Sequence, residues 1–242
     1  MSLLRLDKVL SDSGIATRSE ARKLISSGRV CINGKTITVS DYKVEADTDE
    51  ISVDGKIINN KKHRYFMLFK PDGVLSATED EKQKTVLDLL PSELNKLNLF
   101  PVGRLDKDTT GLLILTNDGE FCHSVTSPKR HVDKVYEFNV EGTLSNDDVQ
   151  EFTKGIILKD GTECLPAELV IDDEDKSHGF VTVFEGKYHQ VKRMLASRGT
   201  PVTSLKRVSI GGLVLDSSLK PGEFRELKDS EIDLIIKKNV AN

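Results

Sequence analysis

Two turn dipeptides constrain the direction of the chain more firmly than any other feature. Asn33-Gly34 separates Val30-Cys31-Ile32 from Thr36-Ile37-Thr38-Val39, and Asp54-Gly55 separates Ile51-Ser52-Val53 from Lys56-Ile57-Ile58. A two-residue hairpin turn needs positive φ at both central positions, which Asn-Gly and Asp-Gly adopt readily, so each pair predicts an antiparallel hairpin. Asp160-Gly161 supplies another short turn. Strands joined in this way read as an antiparallel α+β fold and not as a βαβ repeat.

The rest of the chain fits that frame. Leu3, Leu6, Val9 and Leu10 recur at helical spacing and predict a helix over 3–13 with Gly14 at its end. Thr17-Arg18-Ser19-Glu20 has the form of a capping box before a second short helix that stops at Gly28. Residues 1–58 therefore predict a small domain of two helices and a β-ribbon, and the polar stretch 59–62 a linker. Residues 63–242 predict a larger domain with strands at 64–70, 111–116, 134–141, 164–171, 179–184 and 202–205. Its helices are expected at 120–126, from Ser145 through Phe152, and from Tyr188 to Arg198.

Composition excludes several classes. No apolar run reaches the roughly 18 residues of a membrane span, and the first residues lack the basic-then-apolar order of a secretory signal. Three scattered cysteines, Cys31, Cys122 and Cys164, form no CxxC, so a disulfide framework or a cysteine zinc site is a poor reading and a reducing cytoplasm fits. The net charge of −4 conceals an uneven distribution. Residues 1–35 hold seven Lys or Arg against three acids, and residues 185–207 hold six against one. Two basic patches on an acidic background point to an anionic partner, or to two solvated faces.

Three segments carry candidate chemistry. The first, Gly103-Arg104-Leu105-Asp106-Lys107-Asp108-Thr109-Thr110-Gly111, is a charged loop that enters an apolar strand, where an acid can be partly desolvated. Its Asp106-Lys107-Asp108-Thr109-Thr110 also matches the DxDxT of magnesium-dependent phosphohydrolases, but 101–105 is a poor buried strand and the βα alternation is missing. In the second, Tyr188-His189-Gln190-Val191-Lys192-Arg193-Met194, an apolar helix stripe leaves Lys192 free to face a pocket, and His189 lacks a second ligand at metal spacing. The third is 134–140, where Tyr136 can stack on a base or fill a core.

Together these segments resemble the bacterial rRNA pseudouridine synthases of the RsuA-type family, over nearly the whole chain. Arg5 to Gly34 resembles an S4 RNA-binding domain. Lys70-Pro71-Asp72-Gly73-Val74-Leu75-Ser76 is similar to the first synthase motif, and the run from Gly103 to Gly119 to the family signature. Leu205 to Gly212 and Pro221 to Leu227 match the usual ending.

The resemblance implies isomerisation of one uridine in rRNA to pseudouridine, without cofactor or metal. It assigns Asp106 as the catalytic residue, Tyr136 to the target base, Lys192 as the cation paired with the aspartate, Arg104 to base flipping or backbone holding, and Leu205 to apolar packing beside the aspartate. Many relatives carry arginine where Lys192 stands. The candidate RNA contacts are Arg5, Arg18, Arg22, Lys23 and Arg29 in the first patch, and Lys187, Arg193, Lys206 and Arg207 in the second. Tyr188-His189 favours small-subunit (16S) rRNA, free or in an assembly intermediate, over 23S rRNA. A non-catalytic S4-domain assembly factor is the alternative of another class. A monomer is expected, because no exposed apolar heptad is evident.

Overall fold

A computed structural model describes residues 3–45, 48–58 and 63–236. The chain divides into two compact units, Met1–Arg64 with Pro91–Leu99, and Tyr65–Leu90 with Phe100–Asn242. Residues 59–62, the expected linker, lie outside the described residues.

The first unit contains β1 (Leu3–Arg5), α1 (Leu6–Asp12), α2 (Arg18–Ser26), β2 (Val30–Ile32), β3 (Lys35–Ile37), β4 (Lys43–Glu45), β5 (Ile51–Val53) and β6 (Lys56–Ile57). Four strands form an antiparallel sheet in the order β3-β2-β5-β6. Both hairpin turns have the predicted left-handed residues, with φ of 50° and 78° at Asn33 and Gly34 and of 52° and 76° at Asp54 and Gly55. The capping box is formed: the Thr17 amide donates to Glu20 Oε2 at 2.7 Å, and the Glu20 amide to Thr17 Oγ1 at 3.4 Å. Leu6, Leu10, Ile25, Val30, Val44 and Ile51 are fully buried in one cluster.

The helix expected over 3–13 is shorter. Its first three residues are β1, paired antiparallel with β4, and Arg5 is extended at φ −75° and ψ 138°. Helical spacing of leucines does not decide this, because strand pairing satisfies the same backbone groups from a distant segment.

The second unit contains β7 (Tyr65–Lys70), β8 (Phe100–Pro101), β9 (Thr110–Thr116), α3 (Gly119–Thr126), β10 (Lys134–Val140), α4 (Asn146–Lys154), β11 (Glu168–Ile171), β12 (His178–Val183), α5 (Gln190–Ser197), β13 (Val202–Ile210), β14 (Leu213–Val214), β15 (Phe224–Glu226) and α6 (Asp229–Ile236). Its sheet runs β11-β12-β10-β13-β9-β7-β15, with β14 on β13 and β8 on β9. Every pairing is antiparallel except β13 with β9, which is parallel over only two residue pairs, Lys206 with Thr110 and Arg207 with Gly111. At Gly111, φ is +102°, and a Cβ there would collide with the Arg207 backbone carbonyl. Glycine is therefore required where the two strands meet. One apolar cluster, including Phe138, Phe152, Val181, Met194 and Leu195, packs around β10, β12, α4 and α5. A second, including Met67, Leu112, Ile114, Phe121 and Ile235, packs around β7, β9, α3 and α6.

Three expected elements end differently. The strand read at 164–171 starts at Glu168, since Pro166 has no amide to donate and the Leu165 amide bonds to Glu185 Oε1 at 2.9 Å. The strand read at 202–205 continues to Ile210, through the charged Lys206-Arg207 that masked its alternation. The helix read from Tyr188 starts at Gln190, because His189 is left-handed at φ 48°. Among the described residues, no helix is long and apolar enough to cross a membrane.

Candidate active site

The loop 102–109 between β8 and β9 presents Asp106, and its backbone is held from below. Ser76 Oγ donates to the Leu105 carbonyl at 2.9 Å and accepts from the Leu105 amide at 3.1 Å. Lys70, at the end of β7, is fully buried. Its ammonium donates to the carbonyls of Pro71, Lys107 and Thr109 at 3.0, 2.9 and 2.9 Å. All three of its protons are used, two of them on the loop that carries Asp106. Burial pulls the Lys70 pKa down to about 8, against the attraction of Asp72, Asp108 and Asp106.

Asp106 opens into a cleft whose walls include Arg104, Tyr136, Lys192 and Leu205, with an empty volume of about 450 Å³. All five residues assigned to catalysis by the resemblance thus line one cavity. Lys192 Nζ lies 3.2 Å from Asp106 Oδ2 and also bonds Asp108 Oδ1. Burial lowers the Lys192 pKa, but the bonds to Asp108 and Asp106 outweigh it and hold the group above its ordinary value. The bond from Lys192 draws the Asp108 carboxyl down. One ammonium therefore bridges two carboxylates, a geometry that a point charge allows. His189 Nε2 lies 3.5 Å from Asp106 Oδ1 on the other side. Tyr136 is aligned from behind by Arg207, whose Nη1 donates to the Tyr136 hydroxyl at 3.4 Å and whose Nε donates to the Leu112 carbonyl at 2.8 Å.

A paired carboxylate, an aromatic face and an apolar wall in one cleft suit a planar base held beside an acid. The match to known proteins decides what that base is. Residues 64–197 match the RNA pseudouridylate synthase family, and residues 4–51 match the S4 domain. The chain belongs to the RNA pseudouridylate synthases. This synthase is 43% identical over 96% of its length to an uncharacterized RNA pseudouridine synthase, YtzG, of Bacillus subtilis, covering 98% of that protein. It is 40% identical to the ribosomal small subunit pseudouridine synthase A of Vibrio vulnificus, over 97% of this chain and all of the relative. The corresponding figures for the Escherichia coli K12 protein of that name are 36%, 96% and 100%. A crystal structure of a pseudouridylate synthase superposes with a TM-score of 0.67 at 36% identity, over 96% of this chain and all of the other. The enzyme isomerises uridine to pseudouridine in RNA. The DxDxT reading is set aside by this membership and by the loop position of Asp106, which follows a strand of only two residues.

The cations expected to meet RNA are placed unequally in the synthase. Arg5, Arg18 and Arg22 converge on Asp7, at 3.0, 3.8 and 3.1 Å. The Asp7 side chain is fully buried, and the bond from Arg5 leads in holding its carboxyl down at about 2. Lys23 and Arg29 line a groove with Lys96, and Arg29 is paired with Asp54. Lys187 is paired with Glu185 at 3.2 Å and donates to the Glu163 carbonyl. Arg193 is paired with Asp160, and Lys206 lies 3.4 Å from Glu137. Arg207 does not reach the surface: it is 3% exposed and directed inward to Leu112 and Tyr136, with Nη2 buried and without a hydrogen-bond partner.

The sequence carries no sign of a role for Lys70 or Asp108, and its helical spacing extends over His189, which lies ahead of the helix. The Lys70-Pro71 pair was visible as part of a motif, but nothing local reveals that its ammonium is buried. Among the described residues, no group of three His, Cys, Asp or Glu side chains is arranged to hold a metal.

Proposed function

We propose that the enzyme modifies one uridine of small-subunit (16S) rRNA, as a cytoplasmic monomer needing no cofactor, with Asp106 as its catalytic residue. The observation that carries the assignment is the Lys192–Asp106 pair at 3.2 Å in a cleft walled by Tyr136 and Leu205. The names of the Vibrio and Escherichia relatives, matched end to end, support the small subunit as substrate. In this reading residues 1–58 form the RNA-binding domain, 59–62 the linker and 63–242 the catalytic domain.

A uridine paired or stacked in RNA does not expose its glycosidic bond, so it must be extruded, at a cost of roughly a few kcal/mol. Stacking on Tyr136, apolar contact with Leu205 and a backbone contact from Arg104 offset that cost. Asp106 then acts at the sugar–base junction. The glycosidic C–N bond breaks, the uracil turns within the cleft and a C–C bond to the sugar forms. The ring carbon loses a proton and the ring nitrogen gains one, so the reaction is balanced without an external reagent. The bonds to Asp108 and Asp106 hold Lys192 protonated, which places a positive charge beside Asp106 as it acts.

The test is carbodiimide-based primer extension across both rRNA subunits from cells with and without the gene, followed by reconstitution with purified enzyme. Loss of a single small-subunit signal is expected. Loss of a large-subunit signal redirects the substrate to 23S rRNA, and no loss with an inert purified enzyme leaves a non-catalytic assembly factor. Asp106→Asn is expected to abolish pseudouridine formation while RNA affinity stays within about a few-fold. Equal turnover in the variant removes Asp106 from the mechanism.

A further inference from the structure

We propose that Tyr188 and His189 form a stacking platform for the RNA base adjoining the target uridine, in a second cleft that shares a wall with the first. The inference rests on the uridine occupying the cleft over Asp106. Beside that cleft lies a larger one, with an empty volume of about 1190 Å³. Arg104, Leu105, Asp106, Gly186, Lys187 and His189 line both. Tyr188, like Ser76 and Lys107, lines only the second.

The two rings are stacked, with centroids 3.9 Å apart and planes inclined by 17°. Tyr188 is nevertheless 74% exposed. One face of its ring is covered by the imidazole and the other is left open, an arrangement that burial of apolar surface alone does not favour. An open aromatic face beside a nucleotide cleft matches how proteins hold unstacked bases, since every base has a π-face to offer. Extruding a uridine breaks its stacking on both chain neighbours and frees a face of each for a protein ring. Those neighbours lie next to the first cleft, where this ring stands.

The backbone that carries the two rings is held by hydrogen bonds. The Lys187 amide donates to Gln190 Oε1 at 3.0 Å, and Gln190 Nε2 donates to the buried Glu185 at 3.0 Å. Arg193 Nη1 donates to the Tyr188 carbonyl at 3.3 Å, and the Arg193 amide to the His189 carbonyl at 2.9 Å. His189 is left-handed at φ 48°, a conformation that glycine adopts with less strain. An imidazole held there is placed under Tyr188 and 3.5 Å from Asp106, so the platform is tied to the reacting group. A backbone already fixed at these two residues has less conformational freedom to lose on binding, which favours affinity.

The experiment uses the full-length enzyme and the rRNA hairpin identified by the mapping above, synthesised with 2-aminopurine in turn on the 5′ and the 3′ side of the target. Binding is expected to quench the fluorophore at one flank. Tyr188→Leu is expected to abolish that quenching and raise KM about tenfold with kcat within about twofold, and Tyr188→Phe to restore both. His189→Gly, which relieves the left-handed strain and removes the covering ring, is expected to reduce quenching without lowering the melting temperature. Quenching unchanged in Tyr188→Leu overturns the platform, as does equal loss in Tyr188→Phe, which makes the hydroxyl and not the ring the contact. Because quenching reports binding and not turnover, an inactive wild-type enzyme would contradict the proposed function without deciding the platform.

Discussion

Lys70 and Arg207 both place a cation inside the protein, one bonded to the loop that carries Asp106 and the other to Tyr136, and both of those residues line the cleft. Lys70→Met removes three donors from three carbonyls while also removing a buried charge. The net loss is expected to be about 2 kcal/mol in urea unfolding, with kcat at least about tenfold lower as the Asp106 loop loosens. Arg207→Met leaves the Leu112 carbonyl and the Tyr136 hydroxyl without their donor. It is expected to lower kcat while the salt dependence of RNA binding stays unchanged, since a buried guanidinium neutralises no phosphate. A shallower salt slope in that variant would put Arg207 on the RNA after all. Roles for Asp106, Tyr136 and Lys192 were legible through the resemblance, whose motifs are continuous in the sequence. Asp108 and Lys70 were not, because their roles depend on which distant atoms the fold brings near: Lys192 lies 84 residues from Asp108.

Among the elements, those with local signatures were legible and those made by distant pairing were not. The hairpins at Asn33-Gly34 and Asp54-Gly55 and the capping box at Thr17 follow from residues a few positions apart. By contrast β1 exists only because β4 lies beside it, and β13 runs past Leu205 only because β9 and β10 pair with it. The β9–β13 seam makes a specific demand: Gly111→Ala is expected to cost at least about 2 kcal/mol, through a backbone collision and an unfavourable φ together. Within the first unit, α1 carries Asp7, whose carboxyl is drawn from its ordinary value of 3.8 down to about 2, chiefly by the bond from Arg5. A depressed carboxyl contributes stability that is fully present above the unfolded pKa and is lost as pH falls through the folded one. The urea midpoint of the wild type is therefore expected to fall between about pH 4 and pH 2 more steeply than that of Asp7→Asn. Parallel curves would show that the three arginines do not depend on this acid.

For the molecule as a whole, binding to RNA is expected to weaken steeply with salt, because cations are gathered on both units. Lys23→Gln is expected to reduce the log–log slope by roughly one, and Arg29→Gln by less, since Asp54 already neutralises part of that charge. Turnover is expected to persist in EDTA once the RNA is folded, and a loss restored by magnesium at constant RNA structure would contradict that. The parallel seam also governs the order in which the enzyme comes into being. During synthesis the first unit's hairpins can close early, from neighbouring residues. The start of β9, Thr110 and Gly111, must wait without its parallel partner until residues 202–210 have left the ribosome, although β8 already pairs with the far end of the strand. Leu205, the last of the cleft's lining residues in the chain, arrives with them. A nascent chain can thus hold RNA well before it can modify it, and its exposed strand edge in that interval is the point at which a chaperone would matter most.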